Sequence, residues 1–330
     1  KKIATRMSNN INRKLESGWS PFFDGVGVNE FKTLQSVFET YLKQAQRKVD
    51  DKLLRKDTFR AYASFISNIQ QYLQEKDLKN MFVVEFNRKF VLEFLDYIYY
   101  ERKRTARTHN NYLLFLNQLA IFMNERNFIP SNPVTGIAKK VVSKKKREII
   151  PAEVKNEIFK YQATNNTNYL CLCLTVYFCF IRRTEISKLK VKHVNLSSNS
   201  IFIPAEISKN KKDGVVTIPK MLKKIFIKHL EKSTEEDWLF SSDHFKPGTR
   251  KINPKKISSE WAKMRSELNF KDSYQFYSLK DSGITQLFYL NVPLIKIRDQ
   301  ARHHDIKITE TYTPRNHKAD EFLVDLDFNF

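Results

Sequence analysis

Apolar residues recur every three or four positions in four successive stretches between residues 29 and 138, and this periodicity is the strongest constraint on the fold. Such spacing places the apolar side chains on one face of an α-helix. Asp57 is predicted to cap the second helix, the fourth helix is predicted to start near Thr105, and Pro130 and Pro133 are predicted to end it. Residues 29–138 are therefore predicted to form a four-helix domain.

A basic run, residues 139–150, follows this domain and is predicted to be a linker; it contains Lys144, Lys145, Lys146 and Arg147. Helical spacing returns over 152–162, 169–180, 185–189, 221–231, 257–268 and 279–290. Two β-strand patterns, 200–204 and 215–219, flank a polar turn. We predict a mainly α fold with a small antiparallel β-sheet, in which residues 151–330 form the second domain. Residues 1–28 are a polar N-terminal extension, for which the tail of a missing module is one interpretation.

The balance of charge points to a polyanionic partner. The chain of 330 residues carries 58 Lys and Arg against 36 Asp and Glu, a formal net charge of +22. Lys and Arg displace the counterions that condense on nucleic-acid phosphates, which makes DNA or RNA the expected partner. A membrane partner is not expected, because no apolar run reaches the roughly 18 residues of a membrane span.

The sequence offers no sign of a metal or nucleotide cofactor. Cys171, Cys173 and Cys179 lie in one apolar stretch without zinc-ligand spacing, which favours buried free thiols in a reducing compartment. No cluster of carboxylates or imidazoles has metal-ligand spacing, and no glycine-rich phosphate loop is present. We therefore expect a reaction that needs no cofactor.

Four short motifs in the second domain carry the candidate chemistry. In chain order they contain Arg182, Lys209, the pair Tyr277 and Lys280, and the pair His303 and Tyr312. The first motif is Phe180-Ile181-Arg182-Arg183-Thr184-Glu185-Ile186, and the last runs from Arg302-His303-His304-Asp305 to Glu310-Thr311-Tyr312-Thr313.

This ordered set resembles the tyrosine recombinase (phage integrase) family. Arg182, with Thr184, Glu185 and Ile186 after it, fits the register of the family's first arginine motif. Lys209 fits the lysine of the family's β-hairpin, with Lys211 as the alternative. His303 stands nine residues before Tyr312, which is the family's spacing between its second histidine and its nucleophile.

The sequence departs from the family pattern at four positions. Tyr277 and Lys280 stand where the family has the histidine and arginine of its His-x-x-Arg motif. Phe180 and Arg302 each replace a common glycine. The resemblance covers about residues 150–316 closely, and residues 29–138 look like the family's helical core-binding domain.

Phosphodiester cleavage by a hydroxyl group needs positive donors at the nonbridging oxygens, which suits Arg182 and, more weakly, Lys280. Arg302 and Arg183 are the alternatives to Lys280 for the second oxygen. The nucleophile Tyr312 must lose a proton, which His303 is placed to accept, with His304 as the alternative. The leaving oxygen must gain a proton, which Lys209 is placed to donate. Tyr277 either donates a hydrogen bond to the phosphate or packs. Glu185 is predicted to orient Arg182 or the backbone, and Asp305 to cap the turn that leads to Tyr312.

The resemblance implies a site-specific recombinase that acts through a 3′-phosphotyrosine intermediate, for the integration or excision of a mobile element. It implies a homotetramer on double-stranded DNA, accessory DNA-bending or directionality proteins, no metal or other cofactor, and the bacterial cytoplasm as the location. It also makes residues 1–28 a candidate remnant of an arm-binding module. The alternative is a catalytically impaired DNA-binding protein on the same fold, which the replacements at 277 and 280 favour.

The basic linker is either a solvated tether or a segment that follows the DNA backbone through Lys144, Lys145, Lys146 and Arg147.

Overall fold

The computed structural model describes residues 2–16, 32–142 and 148–313. The chain divides into two compact units, Lys1–Lys144 and Lys145–Phe330. The proposed DNA contacts Lys144, Lys145, Lys146 and Arg147 lie outside the described residues, as does the C-terminal tail from residue 314. None of the described helices is both long and apolar enough to cross a membrane.

The secondary-structure elements in the described part of the first unit are all helices. It contains α1 (Lys2–Glu16), α2 (Leu34–Asp50), α3 (Lys56–Glu75), α4 (Arg88–Asp96) and α5 (Ala106–Glu125), with a π-helical turn at Tyr97–Glu101. The apolar periodicity predicts the core correctly: α2 to α5 bury one continuous cluster that includes Phe38, Phe94 and Leu116. Edge-to-face aromatic pairs, such as Tyr41 with Phe122, fix the packing within it.

Two predicted helix ends in this unit are wrong. Asp57 does not cap α3: the helix begins at Lys56 with Arg55 as its N-cap residue, and Asp57 lies in the first turn. Its carboxylate still favours the helix start, because it faces the partial positive charge of the helix N-terminus. The helix α5 is capped by Thr105, whose hydroxyl accepts from the Thr108 N–H (3.2 Å), but it ends at Glu125, before either proline.

The second unit surrounds a small sheet with helices. Its elements are α6 (Ala152–Asn165), α7 (Thr167–Cys179), α8 (Arg183–Ile186), β1 (Val194–Asn195), β2 (Ser200–Ile203), β3 (Gly214–Thr217), α9 (Lys220–Leu230), α10 (Pro254–Glu267), α11 (Ser278–Tyr289), α12 (Leu294–Ala301) and α13 (Ile306–Glu310). The three strands pair antiparallel in the order β1-β2-β3. The predicted fold class is therefore confirmed, with β1, α12 and α13 as additions.

The most buried helix of this unit is α7, which contributes most of its residues to the main core. Cys171, Cys173 and Cys179 are all buried free thiols, and burial raises the pKa of each. They act as small apolar side chains. The packing of α11 against α7 brings the third sequence motif against the first.

Candidate active site

Arg182 is positioned by a sharp change of direction after α7. Phe180 ends that helix in the left-handed conformation (φ 55°), which is the conformation that glycine favours at this position. Two residues later, Arg182 is the N-cap residue of α8. Its backbone N–H donates to Glu185 Oε2 (3.1 Å), and its Nη1 donates to Glu185 Oε1 (3.3 Å).

Glu185 is completely buried and joins three segments of the chain. Besides Arg182, its carboxylate accepts from the Lys209 backbone N–H (2.8 Å) and from Arg302 Nη2. Burial raises the pKa of Glu185. The opposing effect is larger, because the carboxylate is stabilised by the charge of Arg302, the Lys209 N–H and the charge of Arg182, and the pKa of Glu185 is lowered. The carboxylate is therefore ionised and orients Arg182, as the sequence predicted.

Lys280 lies in the first turn of α11 and is 1% exposed. Its ammonium group donates to the carbonyl oxygens of Phe180 (2.8 Å) and Ala301 (3.5 Å). These carbonyls end α7 and α12, so the partial negative charges of two helix C-termini converge on the ammonium. Burial, followed by the charges of Arg182 and Arg302, nevertheless lowers the pKa of Lys280 to about 7.

His303 follows the end of α12 and lies against Tyr312. The two rings are nearly parallel (14°), with centroids 5.9 Å apart. His303 Nδ1 lies 2.9 Å from the hydroxyl oxygen of Thr309, which is buried in α13. Burial and then the charges of Lys280 and Arg182 lower the pKa of His303 to about 4, so the imidazole is neutral near pH 7. His304 is exposed.

Tyr312 is half-buried just after α13. Asp305 caps that helix as predicted, accepting from the Lys307 N–H (2.9 Å). The Tyr312 ring packs against a small apolar cluster that includes Phe180 and Ala301. The nine-residue interval between His303 and Tyr312 therefore contains the short capped helix α13, which brings the Tyr312 ring against the His303 ring.

Lys209 and Tyr277 complete the predicted set. Lys209 is exposed in the connection between β2 and β3, and its backbone N–H anchors that connection to Glu185. Lys211, the alternative, is also exposed and has a left-handed backbone (φ 54°). Tyr277 is half-buried at the start of α11. Six candidate residues thus lie on segments that meet around Glu185, Lys280 and His303.

The sequence offered Arg302 only as an alternative to Lys280, and the structure places it within this group. It ends α12 with a left-handed backbone (φ 53°), and its guanidinium forms an ion pair with the buried Glu185. The available signal was the replacement of a common glycine by a charged residue directly before His303. An open pocket of about 560 Å³ lies beside it, lined by Arg302, His303, His304 and the connection between β2 and β3.

Within residues 2–16, 32–142 and 148–313, no group of His, Cys, Asp or Glu side chains is placed to hold a metal ion.

The fold of the second unit is that of an integrase catalytic domain. The profile of the phage integrase family matches residues 148–319, more than half of the chain, and the chain belongs to that family. No curated protein matches the chain in sequence.

Solved structures show the same fold at low sequence identity. A lambda integrase dimer bound to a COC′ core site has 16% identity and a TM-score of 0.70, covering 97% of this chain and 89% of that one. A lambda integrase tetramer bound to a Holliday junction has 14% identity and a TM-score of 0.70, covering 98% and 90%. The Tn1549 transposon integrase in complex with circular intermediate DNA has 11% identity and a TM-score of 0.66, covering 86% and 96%.

Proposed function

We propose that this chain is a site-specific recombinase that cleaves and rejoins DNA strands through Tyr312. The observation that carries the proposal is the stacking of Tyr312 on a neutral His303, beside the partly buried guanidinium of Arg182 and the buried Lys280. A phenol next to a proton acceptor and positive charge is the arrangement that nucleophilic attack on a phosphodiester needs.

In the proposed reaction, Tyr312 Oη attacks the scissile phosphorus and its proton passes to His303. The bond from phosphorus to the 5′ oxygen breaks, and Lys209 donates a proton to that oxygen. The products are a 3′-phosphotyrosine and a free 5′-hydroxyl. Attack by the 5′-hydroxyl of a partner strand reverses each step, so the energy of the phosphodiester bond is conserved and no cofactor is needed.

Each side chain has a physical reason for its role. The guanidinium of Arg182 is held in place by Glu185, so it can donate to a nonbridging oxygen without reorganising. Lys280 adds positive charge from its buried position behind Arg182 and His303. Tyr277 is the candidate for a phenolic hydrogen bond to the phosphate. When the phosphate binds, its negative charge raises the pKa of His303 and so makes the imidazole a stronger base.

The assembly and its biology are part of the same proposal. We expect double-stranded DNA as the partner, a homotetramer on two DNA sites, and integration or excision of a mobile element. The supporting findings are the +22 net charge and the fold shared with a lambda integrase tetramer bound to a Holliday junction.

A suicide substrate tests the proposal. Duplexes selected from a random library for binding to the protein are nicked close to each candidate cleavage position, so that the 5′-hydroxyl fragment diffuses away. Wild-type protein is expected to form a covalent adduct on a denaturing gel, and Tyr312→Phe none, with nearly unchanged DNA affinity. Tyr289→Phe, which removes the phenolic oxygen of an exposed tyrosine, is the matched control and should behave as wild type. Tight DNA binding without any adduct would instead identify a catalytically impaired DNA-binding protein.

A further inference from the structure

Arg302 is held in an unusual conformation by three neighbouring segments. Its left-handed backbone (φ 53°) disfavours any side chain relative to glycine. The amide of Asn210 donates to its carbonyl oxygen (3.2 Å). A Cβ atom on Gly214, the first residue of β3, would lie 2.7 Å from Arg302 Cδ, so the glycine makes room for the arginine stem. The surrounding structure thus accommodates an arginine where its backbone favours glycine.

The guanidinium of Arg302 lies next to that of Arg182. Arg182 occupies one oxygen of the Glu185 carboxylate and Arg302 occupies the other. Because the two oxygens belong to one small planar group, the two guanidinium groups are neighbours. A phosphodiester presents its two nonbridging oxygens with a similar spacing, which suits a pair of adjacent forked donors.

Donor capacity remains on Arg302 after it has paired with Glu185. Its side chain is 9% exposed, and its Nε is buried without a hydrogen-bond partner among the described residues. A buried donor without a partner is costly and uncommon in folded proteins. A guanidinium has five N–H donors, so Arg302 can keep Glu185 and still bind an oxygen at the pocket that it lines with His303.

Lys280 cannot supply this forked contact. It carries one ammonium group, which is occupied by the carbonyl oxygens of Phe180 and Ala301. Phe180 and Ala301 stand two positions before Arg182 and His303. By binding their carbonyl oxygens, Lys280 fixes the backbone that carries Arg182 and His303.

We propose that Arg302 is a catalytic residue that supplies the second guanidinium to the scissile phosphate, in place of the arginine that position 280 lacks. Lys280 then serves as the positioning residue for Arg182 and His303. The inference rests on the proposed function, since it concerns the phosphate that Tyr312 attacks.

Single-turnover cleavage of the suicide duplex tests the inference with three variants. Arg302→Gly removes the guanidinium and suits the left-handed backbone, and Arg302→Lys keeps the charge without the fork. Arg298→Ala removes the same charge one helical turn earlier, where the guanidinium pairs with the exposed Asp299, and serves as the control. We expect Arg302→Gly to slow cleavage by about 10²–10³ with little change in DNA affinity, Arg302→Lys to be intermediate, and Arg298→Ala to match wild type.

A stereochemical readout separates contact with the phosphate from a structural role. Sulfur replaces one nonbridging oxygen of the scissile phosphate at a time, in the Rp and Sp duplexes. Because sulfur accepts hydrogen bonds weakly, wild-type cleavage should slow in the diastereomer whose sulfur faces Arg302. That slowing should disappear in both Arg302→Gly and Arg302→Lys, while the other diastereomer keeps its effect.

Each result bears on the inference. Wild-type rates in Arg302→Gly, a wild-type protein indifferent to sulfur in both duplexes, or sulfur effects that the variants leave unchanged would each overturn it. All three results presuppose a wild-type adduct, so they leave the proposed function standing. Absence of any wild-type adduct on the selected duplexes would overturn the proposed function itself.

Discussion

The two units of the molecule differ in what they bury. Within the described residues, the first unit buries apolar side chains and a single polar one, His109. The second unit buries a set of polar and charged side chains, most of them on or near the segments that meet at the candidate active site: Glu185, Ser187, Ser208, Ser278, Lys280, Asp281, Ser282, Thr285 and Thr309.

The first unit buries side chains that stabilise the fold, whereas the second also buries side chains that suit a chemical role. An apolar core stabilises a domain in proportion to the area that it removes from water. A buried charge costs free energy unless it is paired, and even a paired one is often no more stabilising than an apolar replacement. The second unit therefore keeps Glu185 and Lys280 at a cost in stability, and the gain is that the charged side chains of the candidate site are held in place in the free protein.

The largest effect that we expect from this contrast concerns the first unit alone. Phe94 is completely buried in its core, so Phe94→Ala should lower the free energy of unfolding by about 3–5 kcal/mol. Urea denaturation measures this change. The control is Leu92→Ala on the same helix, whose side chain is 41% exposed and whose loss should cost much less. Equal losses in the two variants would mean that the apolar cluster does not carry the stability of this unit.

The matching substitution in the second unit should affect chemistry instead. Lys280→Met keeps the length of the side chain but removes its charge and its hydrogen bonds to Phe180 and Ala301. Since these contacts align Arg182 and His303, we expect single-turnover cleavage to slow by about 10²–10³, and DNA affinity to fall by less. Lys296→Met, at an exposed position of α12, is the control. Wild-type cleavage by Lys280→Met would make Lys280 a bystander.

The same contrast explains what the sequence could predict. Periodic apolar spacing is a local signal, so it located α2 to α5 and the pair β2 and β3. It missed β1, α12 and α13, which have two, eight and five residues and are too short for a period to show. The nine-residue spacing of His303 and Tyr312 is also local, and the structure brings the two rings together.

Contacts between residues that are far apart in the chain could not be predicted from local spacing. The ion pair of Arg302 with Glu185 joins residues 117 positions apart. The burial of Lys280 beneath Phe180 and Ala301 depends on how α7, α11 and α12 pack, which no motif records. The replacements of glycine at Phe180 and Arg302 were visible in the sequence, but their left-handed backbones were not.

A smaller effect should be visible as proton uptake on DNA binding. The pKa of Lys280 is lowered to about 7, so at pH 8.5 its amine is largely neutral in the free protein. A phosphate bound nearby favours the charged form and raises this pKa, so binding should take up a proton, by up to about one per site. Calorimetry in two buffers of different ionisation enthalpy measures the uptake.

Two comparisons assign that proton. Lys280→Met should remove most of the uptake at pH 8.5, and at pH 5.5 the wild-type and variant proteins should differ little, because Lys280 is then already charged. His303, with a pKa near 4, would need a far larger shift to contribute at pH 8.5. Equal uptake by wild type and Lys280→Met at pH 8.5 would contradict the assignment.

The smallest effect that we expect concerns the basic linker. If Lys144, Lys145 and Lys146 follow the DNA backbone, replacing all three with Ala should reduce the slope of log affinity against log salt concentration by up to about 2.7, since each phosphate contact adds about 0.9. The control replaces Lys220, Lys224 and Lys228, three exposed residues of α9, and removes the same charge. Long-range attraction alone would change both slopes equally, because it depends on net charge. A larger loss in the linker variant identifies direct contacts with phosphates, whereas an unchanged slope in that variant makes the basic run a tether.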